Sequence, residues 1–89
     1  MLQPVFTKQF DRDVKRSQRR DRDMDKLKDI IRKLLNEEPL PLRNRDHSLS
    51  SNYSDRRECH IEPDWLLIYK PEPDKVIFER TGTHADFFN

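Results

Sequence analysis

The apolar residues between positions 24 and 35 recur with the spacing of one face of an α-helix, and this pattern limits the possible folds more than any other feature. They are Met24, Leu27, Ile30, Ile31, Leu34 and Leu35. Intervals of three and four residues place these side chains on a single stripe. Apolar residues make up only 33% of the chain and charged residues 39%, but the apolar clustering favours a small folded domain over disorder.

A second helical segment lies upstream, from residue 8 to about residue 20. Its predicted inner face consists of Phe10, Val14 and Ser17. Thr7 is a suitable N-cap for this helix, and Asp21 or Asp23 can cap the next one. Because the connection between the two helices is short and highly charged, we predict an antiparallel helical hairpin that ends at the prolines of 39–41.

Four short apolar runs have the composition of β-strands. They occupy residues 2–6, 53–61, 65–69 and 76–80. Turn residues at 62–64 and 71–74 favour consecutive antiparallel hairpins, and the polar stretch 43–54 is predicted to be a loop. We therefore predict one α+β domain, residues 1–89, of order β-α-α-β-β-β. A small antiparallel sheet of about four strands would pack against the N-terminal α-helical hairpin.

The charge of the chain is distributed unevenly, although its net value is only +1. Residues 1–35 contain eleven Lys or Arg and six Asp, giving +5, whereas residues 36–89 carry −4. A basic half favours an anionic partner such as nucleic acid, but a solvated helix face explains the charge equally well.

The single cysteine and the lack of long apolar segments indicate the cellular compartment. Cys59 has no second cysteine to pair with, so a reducing environment is expected. No apolar run approaches the roughly 20 residues that cross a bilayer, and the N-terminus lacks a signal-peptide pattern. We expect a cytoplasmic protein that has no membrane partner.

Side chains suited to acid–base chemistry are concentrated in the second half of the chain. They are His47, His60, Asp64 and His84, with Arg80 as a fixed cation. Imidazoles titrate near neutral pH, so this set favours a site that acts on a phosphodiester. The intervals between the histidines, 13 and 24 residues, match no zinc pattern, and neither a metal nor another cofactor is expected.

His60, Asp64 and the neighbouring Trp65 also have purely structural explanations. Strand alternation places His60 on the face opposite Cys59 and Ile61, where it can be an ordinary exposed histidine. Asp64 can close a turn, and Trp65 can begin the next strand as part of the core. In the functional interpretation, Asp64 orients a histidine and Trp65 stacks on a base.

The residues near the C-terminus also have two interpretations. Arg80 ends an apolar strand, where it can bind a phosphate or pair with Glu79 or Glu58. Two adjacent aromatic residues follow within the last three positions. We expect Phe87 to anchor the tail to the core, and we leave the role of Phe88 open.

Two stretches, 60–70 (HIEPDWLLIYK) and 79–84 (ERTGTH), resemble the YafQ branch of the RelE-like toxins of bacterial type II toxin–antitoxin systems. The similarity extends upstream to 24–28 (MDKLK), 39–41 (PLP) and 46–47 (DH), and so covers nearly the whole chain. It implies the same β-α-α-β-β-β fold. Relatives often carry glycine and lysine before the His60 strand, where this chain has 50–54 (SSNYS), a stretch that lacks a cation.

The resemblance implies an endoribonuclease, an mRNA interferase that enters the ribosomal A site and cleaves translated mRNA without a metal. Its implied partners are the 70S ribosome with its mRNA and a cognate antitoxin, and outside the antitoxin complex we expect a monomer. The implied catalytic residues are His47, His60, Asp64, Arg80 and His84. Substrate contacts are implied for Trp65 and Phe88. Docking on ribosomal RNA is expected for Lys15, Arg16, Arg19 and Arg20.

In this hypothesis His60, oriented by Asp64, and His84 serve as acid and base in an order that the sequence leaves open. Arg80 stabilises the transition-state charge, and His47 assists. ParE-type toxins share the fold without a histidine-rich site. A non-catalytic toxin or binding module that acts through protein or nucleic-acid binding is therefore the alternative. A nuclease that acts without the ribosome would cleave naked and translated RNA equally.

Overall fold

Five strands form a single sheet in the order β1-β5-β4-β3-β2 in the computed structural model, which describes residues 1–50 and 55–88 apart from the side chain of Phe88. The strands are β1 (Gln3–Phe6), β2 (His47–Ser48), β3 (Arg57–Glu62), β4 (Trp65–Pro71) and β5 (Lys75–Gly82). The helices are α1 (Lys8–Arg19), α2 (Met24–Leu35), α3 (His84–Phe88) and a 3₁₀ turn at Leu42–Asn44. No helix of the described residues has the length and apolar character needed to cross a membrane.

The α+β class and the order of the main elements are confirmed, but the sheet differs from the prediction in two ways. The strand β2 lies within 43–54, for which the sequence predicts a loop, and it pairs antiparallel with β3. It is only two residues long, too short to show an alternating pattern. The strand β1 pairs in parallel with β5, so the sheet is mixed. Pairing direction depends on the path of the intervening chain, which local sequence does not encode.

Both helices begin at the side-chain caps that the sequence predicts. The Thr7 hydroxyl accepts a hydrogen bond from the amide of Phe10 at 3.0 Å. The Asp23 carboxylate, rather than that of Asp21, accepts from the amide of Asp25 at 3.1 Å. These bonds satisfy amides that have no partner within the first turn of a helix. The strand that the sequence predicts over residues 53–61 is β3, which begins at Arg57. Residues 53 and 54 lie outside the described part.

The helices and one face of the sheet enclose the main core. The helical contribution includes Phe10, Leu27 and Ile30, and β4 contributes Trp65, Leu67 and Tyr69. The predicted helix stripes and the Cys59–Ile61 face of β3 are therefore confirmed as core-facing. Between these residues of β4, Leu66 and Ile68 alternate onto the other face and are also fully buried. We call that second side of the sheet the open face.

A reciprocal pair of hydrogen bonds begins α3. The Thr83 hydroxyl accepts from the amide of Asp86 at 3.1 Å, and the Asp86 carboxylate accepts from the amide of Thr83 at 2.8 Å. This is a capping box with aspartate in place of the usual glutamate. Arg20 at the end of α1 donates to both oxygens of Asp86, at 2.8 and 3.2 Å. The short C-terminal helix is thus fastened to the first helix.

Replacing Gly82 by alanine should destabilise this junction. The added Cβ would lie 2.7 Å from Oδ2 of Asp86 and 3.0 Å from a terminal nitrogen of Arg16. Because the carboxylate is held by its own bonds, we expect the free energy of unfolding to fall by about 1–3 kcal/mol. Urea denaturation measures this change. Combining the substitution with Asp86→Ala should give less than the sum of the two single effects. Additive effects would contradict the proposed clash.

Candidate active site

Cross-strand pairing brings three of the predicted residues to the open face. His47, Glu58, Ile68 and Arg80 are successive partners on β2, β3, β4 and β5, and they form one row. His60 is paired with Leu66 in the next row. Directly paired residues project to the same side of a sheet. The predicted position of His60, opposite the Cys59 face, is therefore confirmed.

His84 follows β5 and lies beside His60, with the two ring centres 6.0 Å apart and the rings edge to face. Its Nδ1 is 2.8 Å from Oδ1 of Asp64, and its backbone amide donates to the same oxygen at 3.2 Å. These bonds to His84 lower the pKa of the Asp64 carboxyl from its usual value. The side chains of both residues are more than half exposed, so substrate can reach them.

The carboxylate of Asp64 therefore contacts His84, and the prediction that it orients His60 is wrong. Asp64 lies in the turn after β3, and this turn meets the segment that leaves β5. His60 has other neighbours. Its Nδ1 is 3.2 Å from the carbonyl oxygen of Pro63, and its Nε2 faces Glu58 at 3.8 Å. Asp64 is close to His60 in sequence, but the segment that leaves β5 brings His84 to Asp64.

Glu58 is a functional candidate that the sequence analysis did not include. Its side chain is only 8% exposed, and its Oε1 lies 3.6 Å from Nε2 of His47 and 3.8 Å from Nε2 of His60. One carboxylate therefore lies within ion-pair distance of both rings and can balance the charge of a protonated imidazole. Strand alternation, which puts Glu58 and His60 on one face, was the signal that could have identified it.

Arg80 is held by Asp13, a carboxylate of α1 whose side chain is fully buried. The Nε of Arg80 donates to Oδ2 at 2.8 Å, and a terminal nitrogen donates to Oδ1 at 3.2 Å. Asp13 also accepts hydrogen bonds from Gln9, Arg16 and the amide of Thr81. The sequence proposed Glu79 or Glu58 as partners and missed Asp13, which is 67 residues away. This clamp fixes the guanidinium plane.

The aromatic residues have different surroundings. Trp65 is fully buried, and its indole nitrogen donates to the Thr81 hydroxyl at 3.0 Å. A buried indole cannot stack on a base, so the expectation of direct substrate contact is corrected in favour of the core interpretation. Phe87 lies under the guanidinium of Arg80, with 5.0 Å between the group and the ring centre. The side chain of Phe88, for which we predicted substrate contact, lies outside the described part.

The basic residues predicted to dock on RNA lie along α1 but are not equally available. Lys15 and Arg19 are exposed. Arg16 pairs with Asp13 at 3.0 Å, and Arg20 pairs with Asp86 at 2.8 Å. Their cationic groups therefore also have structural roles. Among residues 1–50 and 55–88, no three His, Cys, Asp or Glu side chains are grouped to hold a metal ion.

The acid sensitivity of the protein should depend on Asp86. Its bonds to Arg20 lower the pKa of this carboxyl well below 3.8. A carboxyl whose pKa is lowered by folding stabilises the protein above its unfolded pKa, and this contribution is lost as the pH falls through the folded value. We expect the free energy of unfolding to decrease below about pH 4 more steeply in the wild type than in Asp86→Asn. Urea titrations at each pH test this, with the exposed Asp11→Asn as control. Equal slopes would contradict it.

A layer of two helices on a mixed five-stranded sheet, with imidazoles and a clamped arginine on the open face, agrees with the toxins of the bacterial type II toxin–antitoxin class. The chain belongs to the YafQ family of these toxins, because the profile described as "bacterial toxin of type II toxin-antitoxin system, YafQ" matches residues 2–89. The family resemblance drawn from 60–70 and 79–84 is thereby confirmed.

Individual relatives agree with this membership. The mRNA interferase toxin YafQ of Escherichia coli BL21(DE3) is 48% identical over 84 residues, covering 93% of this chain and 91% of the relative. The crystal structure of YafQ from the same strain superposes with a TM-score of 0.94 at 43% identity, over the full length of both chains. YafQ in the E. coli DinJ–YafQ toxin–antitoxin complex superposes with a TM-score of 0.92 at 43% identity, covering 99% of this chain and 98% of that one.

Proposed function

We propose that this protein is an mRNA interferase that cleaves translated mRNA in the ribosomal A site and is neutralised by a cognate antitoxin. The observation that carries the proposal is the meeting of His60 and His84 at 6.0 Å, with Asp64 bonded to the second ring. Family membership and the mRNA interferase named among its relatives support the activity. The site of action would be the cytoplasm.

The reaction uses a nucleophile that RNA itself carries. The 2′-oxygen attacks phosphorus while a base accepts the 2′-hydroxyl proton. The bond from phosphorus to the 5′-oxygen breaks, and an acid gives its proton to that leaving oxygen. The products are a 2′,3′-cyclic phosphate and a 5′-hydroxyl. Each proton transfer to or from a positioned side chain contributes about 10²–10⁴ in rate.

We propose the following division of these tasks among the side chains of the site. His84, oriented by Asp64, and His60 would be the pair that transfers protons across one phosphodiester. Glu58 would hold His60 and His47 in place, with His47 assisting the transfer. Arg80, fixed by Asp13, would stabilise the charge that develops on the phosphorane. Trp65 would act only by packing beneath the site.

The same proposal includes the partners. Lys15 and Arg19, exposed on α1, would contact the phosphates of ribosomal RNA in a salt-dependent manner, and Arg16 and Arg20 would add charge nearby. An E. coli relative is seen in complex with the antitoxin DinJ, which supports an antitoxin partner here. Outside that complex we propose a monomer.

Primer extension on cellular mRNA after induction tests the proposed function. We expect new 5′ ends within open reading frames, in register with codons, and in a purified translation system we expect cleavage only when ribosomes are present. Equal cleavage of naked RNA would exclude the ribosome requirement. Intact mRNA accompanied by growth arrest would instead favour the non-catalytic ParE-like alternative.

A further inference from the structure

A cavity of about 350 Å³ opens between the 3₁₀ turn Leu42–Asn44 and the turn that joins β3 to β4. Its walls include Arg43, Asn44, Arg45, His60 and Pro63. Volumes of this size are typical of small-ligand sites. Because His60 forms part of the wall, an occupant would lie next to the residues proposed to cleave RNA. None of the roles assigned above uses Arg43, Asn44 or Arg45.

Asn44 also lines this cavity. The residue is only 5% exposed, and its side-chain Nδ2 donates to the carbonyl oxygen of His60 at 2.7 Å. That bond fixes the amide orientation, since only the nitrogen can donate to a carbonyl. The other amide atom, Oδ1, is buried without a hydrogen-bond partner among the described residues. Buried acceptors are rarely left unpaired in proteins, so a ligand that reached this atom with an N–H donor would satisfy it.

The charge around the cavity favours an anion. Arg43 and Arg45 are exposed, and neither makes an ion pair with a residue in the described part of the chain. The carboxylate of Glu62, which also lines the cavity, is already paired with Lys26 at 2.8 Å and with Arg22 at 3.2 Å. The remaining positive charge can therefore bind phosphate.

We propose that this cavity is a nucleotide subsite that receives a base adjacent to the scissile phosphate. The subsite rests on the proposed nuclease function and extends it to a specificity determinant. Oδ1 of Asn44 accepts a hydrogen bond from an exocyclic amino group of adenine, cytosine or guanine, and the arginines hold the neighbouring phosphate. Uracil has no exocyclic amino group, and its ring N3–H lies between two carbonyl oxygens, so it reaches a recessed acceptor less well. Asn44 also couples base recognition to catalysis, because it holds the backbone of His60.

Titration of the protein with AMP, CMP, GMP and UMP, followed by NMR, tests the subsite without any cleavage. We expect shifts in the Asn44 side-chain amide and the Ile61 backbone, and binding of UMP about tenfold weaker than that of the amino-bearing nucleotides. The preference should disappear in Asn44→Ala. Arg45→Gln should weaken all four nucleotides equally, whereas Arg12→Gln on α1 should change none of them.

Nucleotides that shift no resonance around the cavity would overturn the subsite, as would an unchanged preference in Asn44→Ala. The amide spectrum of each variant shows whether it is folded. Cleavage assays on the same proteins separate this inference from the proposed function. A nuclease with unaltered nucleotide preference in Asn44→Ala refutes the subsite alone. Selective nucleotide binding by a protein that cleaves no mRNA supports the subsite and refutes the nuclease.

Discussion

Replacing His84 by alanine should reduce the rate of ribosome-dependent mRNA cleavage by about 10²–10⁴, the usual contribution of a positioned acid or base. The substitution removes one of the two imidazoles that meet on the open face, and it leaves Asp64 without its ring partner. Single-turnover cleavage of a programmed ribosome measures the effect. Binding to the ribosome and to the antitoxin should stay nearly unchanged, since those contacts are assigned to other residues.

The stability of the His84 variant separates chemistry from folding. The side chain is 55% exposed, so we expect the free energy of unfolding to change by no more than about 0.5 kcal/mol. Asp64→Asn should lower the rate by a smaller factor, because the ring stays but loses its charged partner. Lys75→Ala, at the start of β5 and therefore at the end of that strand away from His84, is the matched control. Full activity in His84→Ala would remove this residue from the site.

Asp13→Asn should have the largest effect on stability among the substitutions considered. The side chain of Asp13 is fully buried and that of Arg80 is 23% exposed, so the change removes the charge of Asp13 from beside a largely desolvated guanidinium. Breaking a buried pair in this way typically lowers the free energy of unfolding by about 3–5 kcal/mol, and we expect the lower end because Arg80 keeps some contact with solvent. Urea denaturation provides the measurement.

The same variant should lose activity under conditions where it is still folded. If Asp13 acts by aiming Arg80 at transition-state charge, kcat should fall while KM changes little. The exposed Asp11→Asn, two residues earlier on α1, should change neither stability nor rate. Wild-type stability and kcat in Asp13→Asn would show that the clamp has no role in either property.

Residues whose neighbours are close along the chain were predictable from the sequence, and those joined by long-range packing were not. Alternation along β3 correctly placed His60 opposite Cys59, because the period of a strand is a local property. Asp13 looked like one more charge on a basic helix, since nothing nearby in sequence reveals that β5 covers it. Trp65 was ambiguous because an aromatic residue after a turn fits both a core and a stacking surface.

The partners of the histidines needed the fold for the same reason. The bond between Asp64 and His84 depends on the register of β4 with β5, and the shared position of Glu58 depends on the two-residue strand β2. Neither register can be read from hydrophobic periodicity alone. Shifting the pairing of a strand by one residue would move each of its side chains to the opposite face of the sheet. The resemblance to a family supplied the identity of the candidate residues but not their pairing.

The clamp between Asp13 and Arg80 also means that the charge-stabilising group is mechanically tied to the first helix rather than to the sheet alone. Partial unfolding of that helix on heating would remove the fixed orientation of the guanidinium while the strands are still folded. The toxin would then lose catalytic activity at temperatures below those at which its sheet unfolds.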